Sequence, residues 1–343
     1  MRMKKIMIFA VAALTLAACS KTFDHNKVAS EGNAIGFGTW TETLTKARTA
    51  GTGTFVNGDD FDVYGFKTIN AANTTVFNGD DVSYDGTDWT YTGLRFWDPN
   101  ASSYTFYAAS PAGKIASADA QTGEFTSSSI AFAGNDNDVL VADKMVVAKA
   151  DFNNPVNLTF NHIASLVDFK VKKHAEIAAA TVAITSFQIS NIDNVGTFSV
   201  SDAYTSTHPV VTWNPTDRGA YSNTSGVTSV ATLPDDIGTD GSDFLINHLV
   251  AMPQTFRTDA NIQTVTIEYS ITSGGDTIDN TATFNLKTFD NVDDKDNEDT
   301  LIGGWEGGKH YTFYITINAN AIVFTVSITD WVTPNSGYHY LLQ

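Results

Sequence analysis

Apolar residues recur at every second position along most of this chain, which is the periodicity of a half-buried β-strand. Residues 264–272 read TVTIEYSIT and carry four such residues on one face: Val265, Ile267, Tyr269 and Ile271. Residues 311–328 alternate on both sides of the stretch 318–321, NANA, as two strands of a hairpin would. Only residues 174–183 could form a short helix. The pattern predicts an all-β fold built from β-sandwiches.

The first eighteen residues are typical of a secretory signal. Residues 1–5, MRMKK, carry three positive charges, and residues 6–18 are an apolar run too short to span a bilayer of about 30 Å. The run ends in Leu-Ala-Ala-Cys, which resembles the bacterial lipobox, and the resemblance implies that Cys19 is lipidated and becomes the new N-terminus. Cys19 is the only cysteine of the chain. The alternative is a free thiol within an ordinary signal peptide.

The composition limits the kind of partner and the number of domains. The formal net charge is −18, and it becomes −21 when Arg2, Lys4 and Lys5 are removed with the signal. A chain this acidic repels nucleic acid. A hydrophobic fraction of 42% is enough for a folded core. The remaining 325 residues predict two domains, and we place the boundary between residues 176 and 177.

The sequence has few marks of catalysis or metal binding. It contains none of the nucleophile-elbow, zinc-protease, phosphate-loop or dinucleotide motifs, and its seven histidines are scattered. We therefore predict no enzyme activity, no cofactor and no metal site. His162 is in phase with the strand residues before it and is expected to be a hydrogen-bonded histidine at a strand end. The acidic stretch 290–300 resembles the start of a calcium loop but lacks its glycine and final glutamate, which favours a solvated loop.

Four blocks of the sequence resemble the fimbrillin family, the subunits of type V pili in Gram-negative anaerobes. They occur in the family's order and span most of the chain after the signal: WTYTGLRFWDPNASSYTFYAASP (89–111), DVLVADKMVV followed by PVNLTFNHIASLVDFKV (138–171), HLVAMPQTF (248–256) and WEGGKHYTFYITINANAIVFTVSITDW (305–331). The resemblance implies two transthyretin-like β-sandwich domains in tandem, at residues 49–176 and 177–343.

The resemblance also implies a maturation step that explains the cysteine. Stalk subunits of the family are exported as lipoproteins, and a trypsin-like protease then removes an N-terminal segment that includes a strand. In this chain Arg48 is the lone arginine between Cys19 and the first block. We expect cleavage between Arg48 and Thr49, which removes residues 19–48 as a propeptide. Ile35, Phe37 and Thr39 share one face of the strand that would be lost.

The loss of that strand is expected to open a groove that the C-terminal strand of another subunit fills. After Trp331 the tail turns at residues 334–337, and then three residues alternate as candidate groove fillers: Tyr338, Tyr340 and Leu342. In such strand addition the backbone supplies affinity and alternate side chains fill pockets. The alternatives for the tail are a terminus without this role and the last strand of its own domain.

The sequence therefore predicts a non-enzymatic fimbrillin that polymerises by donor-strand exchange and supports adhesion. Its expected partners are other pilus subunits, the maturation protease and, through the lipid before cleavage, the outer membrane. The expected location is the fimbrium on the cell surface. Three alternatives remain open: a pilus tip subunit, an anchor subunit that keeps its lipid, and a surface glycan-binding lipoprotein in which some of the six tryptophans stack on sugars.

Overall fold

The computed structural model describes nine ranges of the chain: residues 33–40, 55–119, 124–132, 138–205, 208–223, 243–288, 290–291, 302–319 and 322–331. Within these ranges the chain forms 22 β-strands and three short 3-10 helices, at Lys149–Asp151, Ala175–Ile177 and Leu286–Thr288, and no α-helix. The all-β prediction is confirmed. None of the helices in the described ranges is long and apolar enough to cross a membrane.

The first half of the chain contributes an eight-stranded sheet with the order β1-β11-β9-β5-β2-β3-β4, in which β10 also pairs with β5. Its strands are β1 (Phe37–Trp40), β2 (Asp60–Ile69), β3 (Ala72–Tyr84), β4 (Trp89–Tyr91), β5 (Ser103–Ser110), β9 (Leu140–Ala142), β10 (Met145–Ala148) and β11 (Val156–His162). Asn70 and Ala71 join β2 to β3 with φ values of 51° and 62°. A two-residue turn with both φ values positive matches the twist of the strands that it connects.

The other two large sheets form a sandwich that is built mainly from the second half of the chain. A five-stranded sheet has the order β15-β12-β21-β22-β19, and a seven-stranded sheet has the order β18-β17-β13-β7-β6, with β14 and β8 also on β13. The strands are β6 (Ile115–Ala118), β7 (Phe125–Ser127), β8 (Ile130–Ala131), β12 (Ser165–Lys173), β13 (Thr181–Thr205), β14 (His208–Asn223), β15 (Asp243–Ala251), β17 (Thr264–Ser273), β18 (Asp276–Asn285), β19 (Asp290–Asn291), β21 (Lys309–Ile317) and β22 (Ile322–Asp330). The short strands β16 (Gln254–Thr255) and β20 (Gly304–Trp305) pair with each other in a separate antiparallel sheet.

Three clusters of buried side chains hold these layers together. One fills the inner face of the first sheet and includes Phe61, Phe77, Phe106 and Phe160. A second lies between the two sheets of the sandwich, where Phe169 stacks on Phe313 at a ring-centroid distance of 4.5 Å. The third joins the opposite face of the first sheet to β13, and it includes Tyr64, Tyr107, Phe198 and Trp331.

Strands of the first half also enter sheets of the second half. Strands β6, β7 and β8 belong to the β13 sheet, and β12 pairs with β15 and with β21. All four strands precede the predicted domain boundary at residues 176/177, which stays a prediction. The alternation in β12 shows that the strand is amphipathic, but it does not select β21 as its neighbour.

Candidate functional site

Residues 33–40, called here the inserted segment, lie between two edges of the first sheet. On one side β1 runs parallel to β11, with Phe37 opposite Val156 and Trp40 opposite Thr159. The Val156 amide donates a hydrogen bond of 2.8 Å to the carbonyl oxygen of Gly36. This is the only parallel pair of the first sheet among the described strands.

On its other side the inserted segment contacts residues 91–97, next to β4. The Ile35 amide donates to the Arg95 carbonyl at 2.8 Å, and the Trp97 amide donates to the Asn33 carbonyl at 3.0 Å. The Tyr91 hydroxyl donates to the Ile35 carbonyl at 2.7 Å. The segment therefore pairs with the β11 edge of the sheet on one side and, through an isolated bridge, with the residues that follow β4 on the other. Without it, each edge would present unpaired backbone groups.

Two large side chains of the inserted segment point into the core. Ile35 has no exposed surface, and Phe37 is 7% exposed. The Phe37 ring has edge-to-face contacts with four other aromatic rings at centroid distances of 5.3–5.9 Å: Phe61, Phe77, Tyr91 and Phe106. This is a favourable arrangement for aromatic pairs. Removal of the segment would leave an apolar pocket lined by these rings.

Residues 41–54 connect the inserted segment to the rest of the fold. The segment ends at Trp40, which is paired with Thr159 in β11. The chain is described again from Phe55, whose ring packs edge-on against Trp89 at 5.1 Å and Phe160 at 5.5 Å. Both ends of this connection thus lie at the same part of β11. Once residues 41–54 were cut, the inserted segment would be linked to the residues that follow only by non-covalent contacts.

The predicted site residues divide between described and undescribed parts of the chain. The structure places Ile35 and Phe37 together in the core, as expected of a strand that fills a groove, and Thr39 is paired with Leu158. Outside the described residues lie Cys19, Arg48, Thr49, Tyr338, Tyr340 and Leu342, whose roles stay predictions. Most of the acidic stretch, residues 292–300, also lies outside them, whereas Asp290 and Asn291 form β19 beside β22.

The sequence did not predict that residues 91–97 would form the second side of the groove. Residues 91–97 belong to the first block of resemblance, but nothing in their pattern indicated that Tyr91 would bind the backbone of Ile35, 56 positions earlier in the chain. The available signal was the dense aromatic content of residues 89–97. Such content indicates burial without naming a partner.

His162 ends β11 and is buried at the junction with the second half. Its Nδ1 atom lies 2.8 Å from Asp138 Oδ2, although the pair lacks hydrogen-bond geometry. The ring stacks on Trp331 with a centroid distance of 3.9 Å. The predicted strand-end position is therefore correct, and the predicted hydrogen bond is not seen.

Several other charged groups in the described ranges form ion pairs. Arg257 and Arg218 both bind the buried carboxylate of Asp193, at 2.5 Å and 3.2 Å. The shallow clefts beside Asp193 are lined mainly by polar and charged residues. Within the described ranges no group of three or more His, Cys, Asp or Glu residues could hold a metal ion. The strongest candidate for a functional site is therefore the groove that the inserted segment occupies.

Comparisons with known proteins agree with the fold. Residues 45–331 match a family described as fimbrillin-like. The fimbrium subunit Fim1C of Phocaeicola vulgatus is 28% identical over 116 residues, a match that covers 31% of this chain and only 30% of that relative. A crystal structure of a fimbrial protein from Bacteroides vulgatus matches with a TM-score of 0.57 at 16% identity, covering 88% of this chain and 100% of that one.

Proposed function

Because the chain belongs to the fimbrillin-like family, we propose that it is a structural, non-enzymatic subunit of a cell-surface type V pilus. The observation that carries this proposal is the inserted segment, which fills a groove between two sheet edges and continues into residues 41–54, where Arg48 lies. A strand in this position is well suited to replacement by a strand from another subunit, because backbone pairing on two edges does not depend on its sequence.

The proposed maturation begins with export as a lipoprotein anchored through Cys19 to the outer membrane. A trypsin-like protease then cuts between Arg48 and Thr49. Residues 19–48, which contain the inserted segment, then leave the subunit. The removed piece carries Ile35 and Phe37 out of the core. An empty groove would expose apolar rings and unpaired backbone groups, both of which are costly in water.

The proposed occupant of the emptied groove is the C-terminal tail of another subunit. Its alternate residues Tyr338, Tyr340 and Leu342 would supply the inward-facing side chains. The groove offers them an aromatic pocket at the position of Phe37 and a buried apolar site at the position of Ile35. Repetition of this joint yields a linear polymer, which would support adhesion at the cell surface.

The test is an Arg48→Ala variant in the native host. We expect it to remain lipidated at Cys19 and to form no polymers, because the segment is then never released. Lys46→Ala is the matched control: it removes a charge from the same stretch and keeps Arg48, so normal polymers with an N-terminal Thr49 are expected.

N-terminal sequencing of protein from intact cells and heat-resistant ladders on gels give the readout. Ladders from the Arg48→Ala variant would contradict cleavage at this site. A blocked, lipidated Cys19 on wild-type surface protein would instead indicate an anchor subunit.

A further inference from the structure

The inserted segment contains two glycines, of which Gly36 is partly buried and Gly38 is buried. Gly36 and Gly38 alternate with the buried Ile35 and Phe37. Eight glycines in the described ranges have a positive φ, and neither of these two is among them. Neither glycine is therefore required by a left-handed backbone conformation.

Steric crowding gives only a weak reason for Gly38. A β-carbon built on Gly38 would lie 2.6 Å from Oδ1 of Asn157, its neighbour in β11. That atom is the end of an exposed side chain, which can rotate away. The fold therefore does not strictly demand glycine at position 38.

Glycine has a clear energetic effect in a strand. It loses more conformational freedom on folding than other residues, and it offers no side chain for cross-strand contacts. The inserted segment thus depends on its backbone hydrogen bonds and on two large inward side chains. The proposed donor residues, 338–343, read YHYLLQ and contain no glycine.

We propose that Gly36 and Gly38 make the inserted segment a weak occupant of its own groove, so that it leaves once its covalent link is cut. Before the cut, the connection through residues 41–54 keeps the segment at a high effective concentration beside the groove. After the cut that advantage is lost. The inference rests on the proposed function, because it assigns these glycines a role in the exchange of one strand for another.

The test uses the lone cysteine as a reporter. The chain is produced without residues 1–18, so that Cys19 is a free thiol and takes a fluorescent label at one position. A recognition site for a sequence-specific protease replaces the Arg48-Thr49 junction. After complete cutting, the protein is diluted about 30-fold so that a released fragment does not rebind. Fluorescence anisotropy then follows the release of the labelled fragment.

Gly36→Val is expected to slow release about fivefold, which corresponds to the roughly 1 kcal/mol spanned by strand propensity. Gly303→Val is the matched control, because a β-carbon at Gly303 meets no atom within 4 Å and that residue is remote in sequence from the groove. A second pair compares Gly38→Ala in an Asn157→Ala background with Asn157→Ala alone. If Gly36→Val lowers the melting temperature of the uncut chain, its release rate no longer tests the inference, and the second pair of variants is the test.

Equal release rates for each variant and its control would overturn the inference, and so would a wild-type fragment that stays bound as long as the Gly36→Val fragment. Because the cut is engineered, these outcomes do not depend on which protease acts in the host. Slower release in the variants combined with normal polymers from Arg48→Ala would count against the proposed cleavage and would leave the glycine inference standing.

Discussion

Phe37 is the side chain that contributes most to holding the inserted segment in place. It contacts four aromatic rings, and it is nearly as buried as the neighbouring Ile35. Burial of a large apolar side chain contributes roughly 1.5–3 kcal/mol, and each well-oriented aromatic pair adds about 0.5–1.5 kcal/mol. Phe37 therefore anchors the segment together with the fully buried Ile35 and the backbone pairing with β11.

Replacement of Phe37 by Ala should lower the free energy of unfolding of the uncut chain by about 3–5 kcal/mol, since it leaves a cavity among four rings. Urea denaturation followed by tryptophan fluorescence measures the change. Phe96→Ala is the control in the adjacent edge: Phe96 is 49% exposed, and its loss should change stability by no more than about 0.5 kcal/mol. Similar losses in both variants would show that Phe37 does not fill the groove.

Among the elements, β12, β15 and β21 are tied together by one buried carboxylate. Asp168 of β12 accepts hydrogen bonds from the His248 backbone amide of β15, at 2.5 Å, and lies 2.8 Å from Nε2 of His310 of β21. Burial by itself raises the pKa of Asp168, but the contacts with His310 and His248 outweigh it, and the net pKa lies below 3.8. The charged form of Asp168 thus stabilises the folded sheet.

Because the pKa of Asp168 is lower in the folded chain than in the unfolded one, its contribution is present above pH 3.8 and is lost as the pH falls below that value. Asp168→Asn should therefore be less stable than the wild type at pH 7, with a difference that shrinks below about pH 3.8. Melting temperatures between pH 7 and pH 3 test this. Asp279→Asn, on the exposed strand β18, is the control. A difference that stays constant across this range would contradict the role of the carboxylate.

The elements also show how far the sequence could predict the structure. The alternation in residues 311–317 and 322–328 predicted the β21–β22 hairpin, and the alternation of Ile35 with Phe37 predicted a strand in the inserted segment. Alternation defines the faces of a strand but not its neighbour. The parallel pairing with β11 and the contact with Tyr91 join residues more than 50 positions apart, and local pattern has no information at that range.

At the scale of the whole molecule, the third core cluster connects the first sheet to β13 and includes Trp331. Trp331 donates its amide to the Gly308 carbonyl at 2.7 Å and is 5% exposed. The last described residue of the chain, which precedes the predicted donor tail, is thus part of a buried core. The number of domains and the role of the tail are not fixed by this arrangement and stay predictions.

Deletion of Ser336 to Gln343 should leave the melting temperature nearly unchanged and abolish polymers, because the tail is expected to act only in another subunit. Replacement of Tyr338, Tyr340 and Leu342 by Ser should shorten polymers, since each buried side chain contributes about 1.5–3 kcal/mol to a joint. Electron microscopy after protease activation measures polymer length. A His339→Ser variant, changed at an outward position, is the control. Full-length polymers from the triple variant would place the donor strand elsewhere in the chain.

The groove that holds the inserted segment has a consequence for how the sequence of such a chain can change in evolution. Recognition of the inserted segment is divided between main-chain hydrogen bonds, which carry no sequence information, and the side chains of Ile35 and Phe37. A strand with two suitably spaced apolar residues meets most of these requirements whatever lies between them. The other positions of this segment are therefore expected to tolerate changes of sequence, whereas the spacing of Ile35 and Phe37 and the register with β11 are expected to be kept.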